Sequence, residues 1–200
     1  MRVALHFSKL GPVRYVSHLD FQTLWQKAFV MAGIKLIMTQ GFNPRPKLRF
    51  ALPLATGYQS AGELVEAYLQ EEMDGKELVA DLNKCLPRGV KVLGLTRLPE
   101  PFPKLTSLVD GLRYRVESSH GFADADISSI VDGHEVLAAD VVDGSLELVI
   151  AVREQRSVRP ENMAKALIPQ VDCLDVTRMK IYTLISELAP WPVGLEKLEQ

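Results

Sequence analysis

The chain reads as an α+β protein with antiparallel sheets, and three observations carry that reading. Apolar and polar residues alternate strictly in several stretches, the first over residues 2–9. Two helix starts are written in capping residues, Ser17 with Asp20 and later Asp74. Asp143-Gly144 lies between two apolar runs, a strong signal for a two-residue β-hairpin.

In residues 2–9, Val3, Leu5 and Phe7 share one face and Arg2, Ala4, His6 and Ser8 the other. Gly11-Pro12 ends that strand. After Arg14-Tyr15-Val16, the residues Phe21, Leu24, Trp25, Ala28, Met31 and Ala32 recur at helical spacing until Gly33. Residues 35–38 make a short extended piece, and 47–55 alternate as a second strand that Pro53 confines to a sheet edge. Residues 57–62 read as a turn and 63–70 as the next strand, with helix as the rival reading. The helix capped by Asp74 has Leu78, Val79, Leu82 and Leu86 on one side and closes at Pro87 and Gly89, and 90–95 is a further strand. The order is β-α-β-β-α-β.

It recurs in the second half. Leu112, Tyr114 and Val116 alternate with Arg113 and Arg115, 124–131 reads as a short helix, and 135–142 and 145–152 form the hairpin. Pro160 opens a helix through residue 168. The last strand, 173–184, slips its alternation at Arg178-Met179, as a β-bulge does. Two tandem ferredoxin-like (βαββαβ) domains follow, 1–96 and 112–186, joined by a Pro-rich linker at 97–111 and trailed by a polar tail, 187–200, that contains Trp191. Helices cover one face of each antiparallel sheet. The opposite face, carrying Arg2, His6, Ser8, Lys47, Arg49 and Tyr68 in the first domain, is either open to a partner or packed on the second domain.

Composition narrows the function. The formal charge of −2 conceals an asymmetry, because residues 1–50 hold eight Lys and Arg against the single acid Asp20, net +7, and the rest is net −9. Much of the excess lies in Gln40-Gly-Phe-Asn-Pro-Arg-Pro-Lys-Leu-Arg-Phe50, a stiff turn running into a basic strand with no acid in it. Such a segment suits a phosphate-rich ligand. Cys85 and Cys173 form neither a zinc spacing nor a disulfide framework, so no metal or other cofactor is expected and the cytoplasm is the expected location. No signal-peptide core or run of transmembrane length is present, so no membrane role is expected. Phosphate-loop, dinucleotide-binding and hydrolase-elbow patterns are absent.

The expected partner is therefore RNA. Arg14, Arg45, Lys47 and Arg49 are the candidate phosphate ligands, Asn43 and Tyr68 the candidates for bases or ribose, and Tyr15 and His18 lie at the start of the first helix, where free amides favour an anion. One alternative is a metal-independent RNA-processing enzyme with His18 as general base, although His18 has no acid partner in the sequence pattern. The other is a protein-binding adaptor without nucleic acid.

At Tyr15-Val-Ser-His-Leu-Asp20, Gly41-Phe-Asn-Pro-Arg-Pro-Lys47, the Leu52-Pro-Leu-x-x-Gly57-x-x-Ser60-x-x-Glu63 run and Leu86-Pro-x-Gly89, the chain resembles a bacterial family of unknown function, the radical-SAM-linked or radical-SAM-associated proteins. The resemblance is close over about the first 95 residues and looser beyond. Members of that family occur fused behind a radical S-adenosylmethionine domain or as separate chains. With two cysteines 88 positions apart, this chain does not supply a three-cysteine cluster motif. The resemblance implies an accessory role beside a radical SAM partner; RNA as the substrate is inferred from charge and fold.

Overall fold

The first helix starts where its capping residues put it, with the Ser17 hydroxyl accepting the Asp20 amide at 3.2 Å. Asp74 likewise accepts the amides of Lys76 and Glu77 at the start of the second. A computed structural model describes residues 1–171, 173–183 and 195–197. Among these the chain runs β1 (Arg2–Lys9), α1 (His18–Met31), β2 (Leu48–Phe50), β3 (Gln59–Tyr68), α2 (Gly75–Cys85), β4 (Val90–Leu98), β5 (Gly111–Glu117), β6 (Val136–Val142), β7 (Ser145–Ala151), α3 (Pro160–Leu167), β8 (Asp175–Thr183) and β9 (Leu195–Lys197). Trp191, most of the tail and the end of the second half at 184–186 lie outside the described residues.

Several bounds differ from expectation for local reasons. The strand expected at 47–55 stops at Phe50, because Ala51 and Leu52 bend inward and are buried. The turn expected at 57–62 is partly strand, since β3 already begins at Gln59 and runs as extended chain through residues for which helix was the rival. The helix expected at 124–131 is only a 3-10 turn, Ile127–Ser129, where Asp126 caps the Ser128 amide and no apolar stripe continues. The hairpin at Asp143-Gly144 forms with φ of 50° and 76°, which matches the twist of its strands. The slip in β8 is a bulge: Arg113 faces Lys180 and Tyr114 faces Arg178, so Met179 is the extra residue.

The strands form one mostly antiparallel sheet in the order β4-β1-β3-β8-β5-β7-β6, with β2 on β3 and β9 beside β8. Two separate sheets were expected. The difference arises at β3, which pairs with β8 in parallel at Gln59–Thr177 and Ser60–Arg178 and so fuses the halves. The first half reads β4-β1-β3-β2 across the sheet and the second β8-β5-β7-β6.

On the helix side of the first half, Phe7, Phe21, Trp25 and Phe50 pack mutually, with Phe7 and Trp25 edge to face at 4.8 Å. The other face is closed. Ala4 and Leu64 join the core of the second half, together with Leu105, Leu108 and Val109 from the stretch expected to be a linker. Arg2 fastens that stretch by donating to the carbonyls of Phe102 and Pro103, both at 2.7 Å, while the Leu105 amide donates to Glu66. Of the two fates open to this face, it therefore has the packed one, which leaves Arg2, Ser8 and Tyr68 buried. Lys9 is buried too, its Nζ donating to the Val16 carbonyl and lying over the Phe21 ring; burial pulls its pKa down, against the pull of Glu63.

The junction is bound by a buried ion pair. Arg178 Nη1 donates to both carboxylate oxygens of Glu63, at 3.0 and 3.1 Å, while Nε and Nη2 donate to the Tyr114 hydroxyl. Nη2 also reaches the Pro53 carbonyl. Burial pushes the Glu63 carboxyl up, and Arg178 opposes it. Burial alone would lower the guanidinium, but Glu63 and Tyr114 outweigh it, so its pKa is raised.

Two outcomes follow from this packing. Arg178→Met, which strands a buried carboxylate, should lower unfolding free energy by about 3–5 kcal/mol, whereas Glu63→Leu with Arg178→Met should recover most of that loss; urea denaturation of the three variants measures it. Limited proteolysis should spare residues 103–109, whose apolar side chains are buried. Early cleavage there would show that the segment opens as a true linker.

Candidate nucleic-acid interface

Residues 37–47 form a narrow two-stranded arm. The Thr39 amide donates to the Arg45 carbonyl and the Lys47 amide to the Ile37 carbonyl, both at 2.8 Å, with Met38 opposite Pro46 between them. At its root the Ile37 amide donates to the Tyr68 carbonyl, which ties the arm to the end of β3. Gly41 turns the tip with φ of 126°, a value side chains rarely adopt. Pro44 and Pro46 stiffen the return. Phe42 stands at this tip fully exposed, at 105% of its reference surface, beside exposed Asn43 and Arg45.

Lys47, Arg49 and Tyr68 come together at the arm's root. Lys47 Nζ sits 3.6 Å from the centre of the Tyr68 ring, and the guanidinium carbons of Arg2 and Arg49 lie at 5.4 and 5.9 Å. The Tyr68 hydroxyl donates to Glu66, which is fully buried and also takes Arg2 Nε. Burial and Glu66 push that hydroxyl up to about 12, so it stays protonated. Only 8% of Tyr68 is exposed and its own cations crowd the ring, so Phe42 is the aromatic of this region that is open to stacking. Phe42 was missed in the sequence, although its place between Gly41 and Asn43-Pro44, outside every periodic run, was a signal for it.

Arg14 and Tyr15 lie elsewhere, in a cleft of about 510 Å³ that also includes Tyr58, Glu161, Lys165 and Cys173. Arg14 is committed: its Nη1 donates to both oxygens of Asp175, at 2.9 and 2.8 Å, which holds its pKa up, and Gln59 joins the same carboxylate. Tyr15 is exposed beneath the guanidinium at 5.2 Å. His18 belongs to neither group. It stands edge-on to Phe50 at 5.5 Å and shares a hydrogen bond with Gln22, and burial, with help from Lys9, pulls its pKa down. The structure thus distributes the candidate residues over an arm (Asn43, Arg45), its root (Lys47, Arg49, Tyr68), a cleft (Arg14, Tyr15) and a helix start (His18). Among the described residues no cluster of His, Cys, Asp and Glu suited to a metal ion occurs, and no helix is long and apolar enough to cross a membrane.

A mixed α+β protein with one fused sheet and a projecting basic arm is the class these features define. Residues 2–179 match the family described as an uncharacterized protein conserved in bacteria (DUF2344), and the chain belongs to that family. No curated protein matches the chain.

The histidines carry a pH dependence. Burial lowers the pKa of His6 as well as that of His18, so unfolding favours proton uptake by both. Their contribution to stability is complete above the unfolded value of about 6.5 and declines as pH falls below it. The urea midpoint should therefore drop between pH 7.5 and 5.5, and drop less in His6→Gln and His18→Gln; an unchanged pH slope in both variants would contradict this.

Proposed function

We propose that this chain is a cytoplasmic RNA-binding accessory protein that holds a single strand on its arm and presents it to a modifying partner. By the family resemblance that partner is a radical SAM protein, and the halves act as two ferredoxin-like units with the junction as their common brace. One observation carries the RNA reading: a fully exposed phenylalanine at the tip of a stiff arm, next to an exposed amide and an exposed guanidinium. The ring is free of protein contacts that would block its face, and any base can stack on it. Arg45 is well placed for a backbone phosphate and Asn43 for a base edge or a ribose hydroxyl. Lys47 and Arg49 extend the positive field toward the root.

The adaptor reading keeps one observation in its favour, since Ile37 and Met38 on the same arm are also partly exposed, which suits an apolar protein surface. Titrating fluorescent single-stranded RNA at several salt concentrations separates the two. Phe42→Ala should weaken binding by about 1–3 kcal/mol with no loss of stability. Arg45→Gln should lower the log–log salt slope by roughly 0.7. Wild-type affinity and slope in both variants would remove the arm from RNA binding and favour the adaptor.

A further inference from the structure

The second half holds its own concentration of positive charge, in Arg153-Glu-Gln-Arg156-Ser-Val-Arg159. Arg153 and Arg156 exchange both backbone hydrogen bonds, at 2.8 and 2.9 Å, around a two-residue turn. Glu154 and Gln155 at its tip have φ of 51° and 62°. Gly, Asn or Asp usually fill such positions, so the turn accepts backbone strain from two longer side chains. The chain that leaves it lines a groove of about 350 Å³ with Arg156, Ser157 and Arg159, facing Pro53, Tyr58 and Tyr114 across it.

Charge in this groove is of one sign. Among the described residues no carboxylate lines it. Two acids flank the lining stretch along the chain: Glu154 lies at the tip of the turn, and Glu161 accepts the Tyr58 hydroxyl and lines the neighbouring cleft instead. Arg178 also lines the groove, but Glu63, Tyr114 and Pro53 already occupy its donors. Arg156 and Arg159 differ from it: both are exposed, and among the described residues neither is in an ion pair. The groove also ends at Pro160, the first residue of α3, whose dipole adds to the same field. Two free guanidinium forks and a hydroxyl around one concavity match the oxygens of a phosphate, which takes paired N–H donors. Pro53 and Val158 supply a partly exposed apolar surface for the group the phosphate carries.

We propose that this groove is a phosphate-binding site for a nucleotide, separate from the arm, with Arg156 and Arg159 as its ligands and Ser157 as a further donor. The phosphate comes either from the backbone of an RNA strand or from a free nucleoside monophosphate, and the test distinguishes the two. Full-length wild type, Arg156→Gln/Arg159→Gln and Phe42→Ala are titrated with a single-stranded RNA and, separately, with adenosine 5′-monophosphate. All three proteins are first matched for urea midpoint. If the strand is the source, the double variant weakens RNA binding about tenfold and lowers the salt slope by about 1.4, also when Phe42→Ala is added. If the free nucleotide is the source, the double variant abolishes monophosphate binding and Phe42→Ala leaves it intact. That second result stands even where no RNA binds, so a failure of the RNA reading is separable from a failure of this one. Equal binding of both probes by wild type and double variant, or binding of neither by wild type, overturns the site.

Discussion

The buried pair of Arg178 with Glu63 is the constraint around which the rest is arranged. It sits where β3 and β8 pair over only Gln59–Ser60 and Thr177–Arg178, a backbone contact too short to bind two halves by itself. Each partner exposes 3% of its side chain, so each depends on the other for solvation. The pairing satisfies the charge through one nitrogen, Nη1, that donates to both Glu63 oxygens, and Tyr114 and Pro53 take the remaining donors. The bulge at Met179 belongs to the same arrangement, because it shifts the register between β5 and β8 next to Arg178. Arg14 and Asp175, also joining the halves, form a more exposed version of this contact.

This bracing determines where ligands are able to reach the protein. A sheet face covered by the second half and by residues 102–109 leaves no room for bases on the strands. Positive charge in the first half divides accordingly. Arg2 and Lys9 turn inward, to carbonyls and aromatic rings, and Arg14 is neutralised by Asp175. Arg45 stays outside, on an arm whose two prolines and paired backbone keep it extended. Net +7 over the first fifty residues therefore overstates the field available to a partner.

Local chemistry was legible in the sequence, and long-range pairing was not. Ser17 and Asp74 named their helices because a cap acts on amides two or three residues away. Asp143-Gly144 named its hairpin, and the broken alternation at Arg178-Met179 named its bulge. By contrast, Glu63 and Arg178 are 115 positions apart, and nothing near either residue announces the other. The closure of the sheet face by Leu105, Leu108 and Val109 was hidden for a similar reason: the prolines around them imply an irregular path but not its burial. At the candidate site, the stiffness and charge of the arm could be read from Gly41, Pro44, Pro46 and Arg45. The capture of Tyr68 by Lys47 and Arg2 depended on neighbours across the sheet.

The junction also imposes an order on synthesis. Domains tend to condense as they leave the ribosome, N-terminal part first. When residue 98 completes the first half, Arg178 does not yet exist, and Glu63 must wait on a sheet edge for a partner still to be translated. Until then the edge of β3 near Ser60 is an open pairing site, and β8, on reaching it, both caps that edge and brings Arg178 to Glu63. The final step in making this molecule is thus a docking that closes a strand edge and supplies a buried carboxylate with its counter-ion.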